Sequence, residues 1–294
     1  MTQRWWRAIK RAGRGARAGL ALSRLVVVRF DRGRSLTGSV PVVVSMTSYG
    51  RRLRTVAWAL ESIRAGAARP ARVILWIDDS QWFDAKPAHI RALERVGLEV
   101  RLTRDLGPHK KYFPFVELVE GRSPMPLVTA DDDVLYGRSW LIDLYAASVK
   151  DKTAVIAQRA HRMIVCPDGI RPYRSWGEVV TDAPSYLNFA TGVAGVLYPP
   201  TMVRELYARG DEFLKTAPRA DDVWLHFVAV SSGVRVRQVG PTRASYPELP
   251  TIGAISLHSV NVAGNGNDQQ IAATYDSKTL TRLLRAAESE GVVQ

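Results

Sequence analysis

From residue 40 onward, short runs of β-branched and aromatic residues alternate with segments of helical period. Strands joined through helices run parallel, and a parallel sheet is covered on both faces, so this alternation admits few folds. Val40 to Met46 is the first run. Leu53 to Ala65 follows, with Leu53, Val56, Leu60 and Ile63 at helical spacing and Gly66 as a stop. Arg72 to Ile77 predicts a second strand, Pro87 to Val96 a helix, and Leu98 to Thr103 a third strand. A loop with His109, Lys110 and Lys111 and a helical stretch from Phe115 to Val119 precede the fourth, Pro126 to Ala130, which runs directly into Asp131-Asp132-Asp133.

Past residue 134 the alternation loosens. Helices are expected over Ser139 to Val149, Met202 to Ala208, Asp222 to Val230 and Ser277 to Glu288, and strands over Thr153 to Ala157 and Val234 to Val239. Arg159 to Asn188 reads as irregular, Phe189 to Tyr198 as an apolar run broken by glycine, and Pro247 to Gln270 as a long loop. No linker or repeat divides the chain. Residues 35–294 therefore read as one domain, with a regular half over about 40–134, whose strand ends are where a nucleotide-type ligand is expected in such a sheet, and a less regular half over about 135–294, left for a second substrate.

The charge is uneven. The 294 residues carry a net +13, but residues 1–34 hold ten Lys/Arg against one Asp, or +9, which leaves +4 for the rest. On a helical wheel Trp5, Trp6, Ile9, Ala12, Ala16 and Leu20 fall opposite Arg4, Arg7, Lys10, Arg11 and Arg14. That pattern suits a helix in an anionic membrane interface, with indoles at headgroup depth. The arginines interrupt any signal-peptide core. Ala183 to Val203 is uncharged but holds three prolines and two glycines, which excludes a membrane span. Cys166 stands alone, so there is no intramolecular disulfide or Cys-rich zinc site, and a cytoplasmic setting is expected, peripheral on the inner face of the cell membrane.

In open α/β sheets, ligands bind beyond the carboxyl ends of the strands. Three adjacent carboxylates there repel one another without a counter-ion. A hard divalent cation that also takes phosphate oxygens supplies it, and Arg51, Arg52, Lys110 and Lys111 provide cations on neighbouring loops. Asp221-Asp222 opens an apolar helix, where an aspartate serves either as an N-cap or as a base.

The segments Val43-Val-Ser-Met-Thr-Ser-Tyr49, Val73-Ile-Leu-Trp-Ile-Asp78, the Lys110-Lys111 loop and Val128-Thr-Ala-Asp-Asp-Asp-Val134 resemble nucleotide-diphospho-sugar glycosyltransferases of the GT-A fold, near the family 2-like bacterial polysaccharide enzymes. The resemblance runs from about residue 40 to 270, and Asn188 to Gly192, Ala220 to Trp224 and Asn267 to Gln270 resemble its later blocks. It implies an α/β, Rossmann-like, mostly parallel sheet flanked by helices, with a less regular acceptor half. Thr47, Tyr49, Arg51, Asp78, Lys110, Lys111, Asp131 and Asp132 are then expected to bind the sugar nucleotide. Asp131 and Asp133 would be the ends of a D-x-D motif holding Mn²⁺ or Mg²⁺, with His258, near Asn261, as an additional ligand. Asp222, or its neighbour Asp221, would be the base of an inverting transfer to a glycan or lipid-linked acceptor in envelope or capsule polysaccharide synthesis. Arg159 and His161 would face acceptor or phosphate, and Trp176, Tyr186 and Trp224 would stack on sugars or pack in the core.

Two other readings compete. A sugar-nucleotide pyrophosphorylase needs a Gly-rich phosphate loop after the first strand, where this chain has Thr47-Ser-Tyr-Gly-Arg-Arg52 with a single glycine. A noncatalytic nucleic-acid or membrane-binding protein would use the basic leader, but nucleic-acid binding needs basic and aromatic residues spread over a folded face, and the body of the chain is only +4. Nucleic acid is therefore not an expected partner.

Overall fold

The computed structural model describes residues 33–249 and 266–292, together with positions 19, 22, 23, 25, 26 and 31. Its strands are β1 (Val40–Thr47), β2 (Pro70–Ile77), β3 (Leu98–Leu102), β4 (Leu127–Thr129), β5 (Val155–Ala157), β6 (Ala160–Arg162), β7 (Val165–Cys166), β8 (Gly169–Ile170), β9 (Gly177–Glu178), β10 (Asn188–Ala190), β11 (Val196–Tyr198) and β12 (Val236–Gln238). The central sheet has seven strands in the order β12-β5-β11-β4-β1-β2-β3.

β1 pairs in parallel with both β2 and β4, and β2 with β3. The central strands are continuous apolar runs because both faces are covered. Val42, Val44 and Met46 of β1 pack on one face with the helix Val56–Arg64 and with Trp140, Leu141 and Leu144 of the helix Trp140–Lys150. Val43 of β1, Ile74 and Trp76 of β2 and Leu127 of β4 face the other side, with residues of the helices Phe113–Leu118, Pro200–Arg209, Asp221–Ser231 and Ser277–Ser289. β11 is the exception to the parallel pattern: it is inserted antiparallel between β4 and β5. Thr129 pairs with Val196, so the turn before β11 lies at the carboxyl end of β4.

The region expected to be irregular holds two small antiparallel sheets, β10-β6-β9 and β7-β8. The expected loop from Pro247 to Gln270 ends earlier than its composition indicates, because Gly266–Thr274 is helical. Asp268 accepts a hydrogen bond from the Tyr173 amide at 2.7 Å, and Gln270 one from the Arg219 amide at 2.9 Å. These tertiary bonds stabilise a helix start that is rich in Gly and Asn.

Residues 1–18, and with them the expected interfacial helix, lie outside the described residues, as do His258 and Asn261. The end of the basic leader is attached to the body. Leu25 is buried with Leu135 and Leu249. Arg34 donates to the carbonyls of Arg64 and Gly66 at 2.6 and 2.7 Å, and Arg64 returns a bond to the Arg34 carbonyl at 2.8 Å. Among the described residues, no helix is long and apolar enough to cross a membrane.

Candidate active site

The carboxylate triplet leaves β4 beside the end of β1, and Asp132 and Asp133 share one cation while Asp131 turns to another. Asp132 is buried. Ser48, just past β1, donates its hydroxyl to Asp132 Oδ2 at 2.6 Å, and Arg52 Nε reaches the same oxygen at 2.9 Å. Arg52 Nη2 bonds both Asp132 Oδ1 and, at 2.9 Å, Asp133 Oδ2. The short 3₁₀ turn Gly50–Arg54 aims this guanidinium, and its fork matches the carboxylate geometry. Burial opposes the charge on Arg52, yet hydrogen bonding to Asp132 and the charges of Asp132 and Asp133 hold its pKa above the ordinary value. The middle aspartate thus anchors the β1 loop.

Asp131 and Asp133 remain partly open. Lys111 Nζ donates to Asp131 Oδ1 at 2.6 Å and stands 3.7 Å from Asp221 Oδ2. Asp133 is pushed up to about 6, first by burial and then by the charges of Asp131 and Asp132, against the pull of Arg52 and Lys111. The site is short of positive charge: among the described residues, the ion pairs of Asp131, Asp132, Asp133 and Asp221 are made with two cations, Arg52 and Lys111, and Asp222 lies beside them. This all-oxygen, electron-rich set fits Mn²⁺ or Mg²⁺. Among the described residues no three Asp, Glu, His or Cys side chains converge on a single metal position, so an ion bound here would complete its coordination with phosphate oxygens and water.

Asp221 and Asp222 open the helix Asp221–Ser231. The N-cap position is Ala220, and both aspartates lie inside the first turn. Asp222 Oδ1 accepts from the Gly192 amide at 2.9 Å. Burial first, and the neighbouring charge of Asp221 second, push Asp222 up to about 8. A Cβ on Gly192 would stand 3.1 Å from Asp222 Oδ1 and 3.4 Å from Lys111 Nζ, so the absence of a side chain lets the β10-β11 turn approach both. His109 holds the preceding loop. It is buried, bonded to the Tyr112 hydroxyl and the Ala217 carbonyl, stacked on Phe213, and lowered to about 4 by burial.

At the end of β2, Asp78 accepts a hydrogen bond from Lys110, whose Nζ also meets Asp105 Oδ1 at 2.7 Å. Tyr49 lies exposed nearby, with Arg52 5.6 Å and Lys110 5.7 Å from its ring centre. Thr47 donates to the Trp76 carbonyl at 3.1 Å, and Arg51 is exposed. Of the expected residues, Asp131, Asp133, Lys111, Asp221 and Asp222 come together as one group, and Tyr49, Asp78 and Lys110 form a second beside Arg52. Trp176 and Trp224 are buried among aromatic neighbours. Sequence reasoning missed Ser48, Asp105 and Tyr173. Of these, Ser48 alone lies within a segment that the sequence marked, Val43 to Tyr49.

No protein-family model and no curated protein sequence matches the chain. Solved structures do. A mannosyltransferase from Pyrobaculum calidifontis, in complex with GDP-Man and Mn²⁺, aligns with 94% of this chain and 79% of its own, at 13% identity and a TM-score of 0.55. TarS residues 1–349 from S. aureus align over 85% of this chain and 72% of theirs, at 14% identity and a TM-score of 0.50. The fold is thus of the GT-A type, α/β with a mostly parallel central sheet flanked by helices.

Proposed function

We propose that the protein is a metal-dependent glycosyltransferase that moves a sugar from a nucleotide-diphosphate donor to a glycan or lipid-linked acceptor, with inversion, in envelope or capsule polysaccharide synthesis. The observation that carries this reading is the Lys111 bridge, 2.6 Å from Asp131 and 3.7 Å from Asp221. It joins the carboxylates at the end of β4 to the acidic pair at the start of a helix, so a donor held by the first presents its anomeric carbon to the second. The GT-A fold, and the GDP-Man and Mn²⁺ of one structural neighbour, support the donor class.

Asp131 and Asp133 would hold Mn²⁺ or Mg²⁺, which when bound neutralises the diphosphate and stabilises it as a leaving group. Tyr49 offers an exposed ring for the base, with Asp78, Lys110, Thr47 and Arg51 around it. Asp132 supports the donor site through Ser48 and Arg52. Asp222 takes the proton of the acceptor hydroxyl as its oxygen bonds to the anomeric carbon and the bond to the diphosphate breaks. Its raised pKa makes it a stronger base than an ordinary carboxylate, and the Gly192 amide fixes its orientation. Residues 35–294 act as one domain. The basic segment 1–34 holds the protein on the anionic inner face of the cell membrane.

The test is thermal stabilisation by UDP-, GDP-, CMP- and dTDP-sugars with and without Mn²⁺, on the native protein and on Asp133→Ala, because ligand that binds the folded state raises apparent stability. A Mn²⁺-dependent shift with a diphosphate sugar, lost in Asp133→Ala, is expected. A folded protein that responds to none of the donors overturns the reading.

A further inference from the structure

Arg52 and Lys111 are taken up by the carboxylates, but Arg159 is not. Arg159 precedes β6, and its backbone carbonyl accepts the Thr191 amide at 3.1 Å. The next amide, Gly192, holds Asp222. Two consecutive residues of one turn therefore hold the Arg159 backbone and the carboxylate of the proposed base.

The Arg159 guanidinium is under-satisfied. Its Nε is buried with no hydrogen-bond partner, and Nη2 has His161 Nε2 at 3.4 Å. His161 Nδ1 lies 3.3 Å from the Gly177 carbonyl, which assigns the ring proton to Nδ1 and leaves Nε2 as an acceptor. Burial, and then the Arg159 charge, lower the His161 pKa, so the ring adds no charge of its own at neutral pH. Glu178, on the neighbouring strand, is taken by Arg243 at 2.8 Å. Tyr173 completes the group: its ring is 5.5 Å from His161, its phenol lies within electrostatic reach of both Asp222 and Arg159, and its amide is held by Asp268.

A desolvated guanidinium donor without an acceptor is unfavourable, and a planar fork is best matched by a carboxylate or a phosphate. A neutral hydroxyl fills a hydrogen bond but leaves the charge unbalanced. We propose that Arg159, with His161 and Tyr173, forms a subsite for an oxyanion carried by the acceptor next to its attacking hydroxyl, so that the acceptor is an acidic sugar or a sugar phosphate. This rests on the reading of Asp222 as the acceptor-side base.

The experiment is a ligand-observed NMR titration of the metal-free full-length protein with glucose, glucuronate and glucose 6-phosphate, repeated on Arg159→Gln and Arg159→Lys. Donor stabilisation is measured in parallel on each. The expected result is that at least one anionic sugar binds the native protein about 10- to 100-fold more tightly than glucose. That preference disappears in Arg159→Gln and is partly kept in Arg159→Lys, while the donor shift is the same in all three. The glucuronate and phosphate arms identify which oxyanion is preferred. Equal binding of all three sugars to the native protein overturns the subsite whether or not the variants fold, as does an anion preference that survives Arg159→Gln. Loss of the donor shift in the native protein strikes instead at the proposed transferase, and the titration reads the anion preference independently of it.

Discussion

The amide of Gly192 donates to Asp222 at 2.9 Å, so the turn between two strands, rather than the helix that carries Asp222, sets the direction of this carboxylate. Asparagine keeps an oxygen for that bond but is no base. Asp222→Asn is expected to fold, to retain the Mn²⁺-dependent donor shift, and to lose about 10²- to 10⁴-fold in transfer rate. Gly192→Ala, which crowds the same oxygen, should lower transfer while leaving donor binding in place. Full transfer by Asp222→Asn removes it as the base.

Asp222 also makes stability depend on pH. Its carboxyl titrates near 8 in the folded protein against 3.8 ordinarily. Between those values the folded state holds a proton that the unfolded state has released. The contribution of Asp222 to stability is therefore complete below the ordinary value, falls as pH rises, and is gone above about 8. Urea midpoints at pH 5 and pH 8 check this: the native protein should lose more stability over that interval than Asp222→Asn. Equal losses would show that Asp222 does not titrate there. Transfer should rise over the same interval as the base ionises.

Removing Arg52 leaves the buried Asp132 with Ser48 as its remaining side-chain partner. Arg52→Ala is expected to destabilise the protein by about 3 kcal/mol, because a buried carboxylate is left uncompensated. Arg51→Ala, at an exposed position, should stay within about 0.5 kcal/mol of the native protein. Chemical denaturation distinguishes them, and equal effects would rule out the Ser48-Arg52-Asp132 anchor.

Deletion of residues 1–18 removes Trp5, Trp6 and six cations yet spares Leu25 and Arg34, which are packed against the body. The shortened protein should keep its melting temperature and fail to cosediment with anionic vesicles at low salt. Undiminished cosedimentation places the membrane contact elsewhere.

Much of residues 40–134 was readable in sequence because β1, β2 and β4 are largely buried apolar runs and the helix Val56–Arg64 recurs with apolar residues at helical spacing. The Asp131 to Asp133 triplet was readable for the same reason, since the run preceding it announces where it emerges. What escaped depends on distant partners. Ser48 meets Asp132 across 84 residues, and the helix beginning at Gly266 is supported by the Tyr173 and Arg219 amides rather than by its own composition. In the acceptor half β5 and β12 were legible as apolar runs, whereas β6 to β9, two or three residues each, are too brief for periodicity to register. Arg159 was visible as a residue, but its lack of a partner is a property of the packed site.

The reversed strand β11 bears on how the chain is made. β4 is complete at Thr129, but on one side its ladder partner is Val196 to Tyr198, about 65 residues later. At roughly 5–20 residues per second, a ribosome takes several seconds to deliver that partner. Throughout that interval the nascent sheet presents Leu127, Val128 and Thr129 as a bare apolar edge, open to pairing with another chain. The turn that brings Gly192 to Asp222 therefore comes with a period of exposure during synthesis, ended only when β11 emerges and closes the edge.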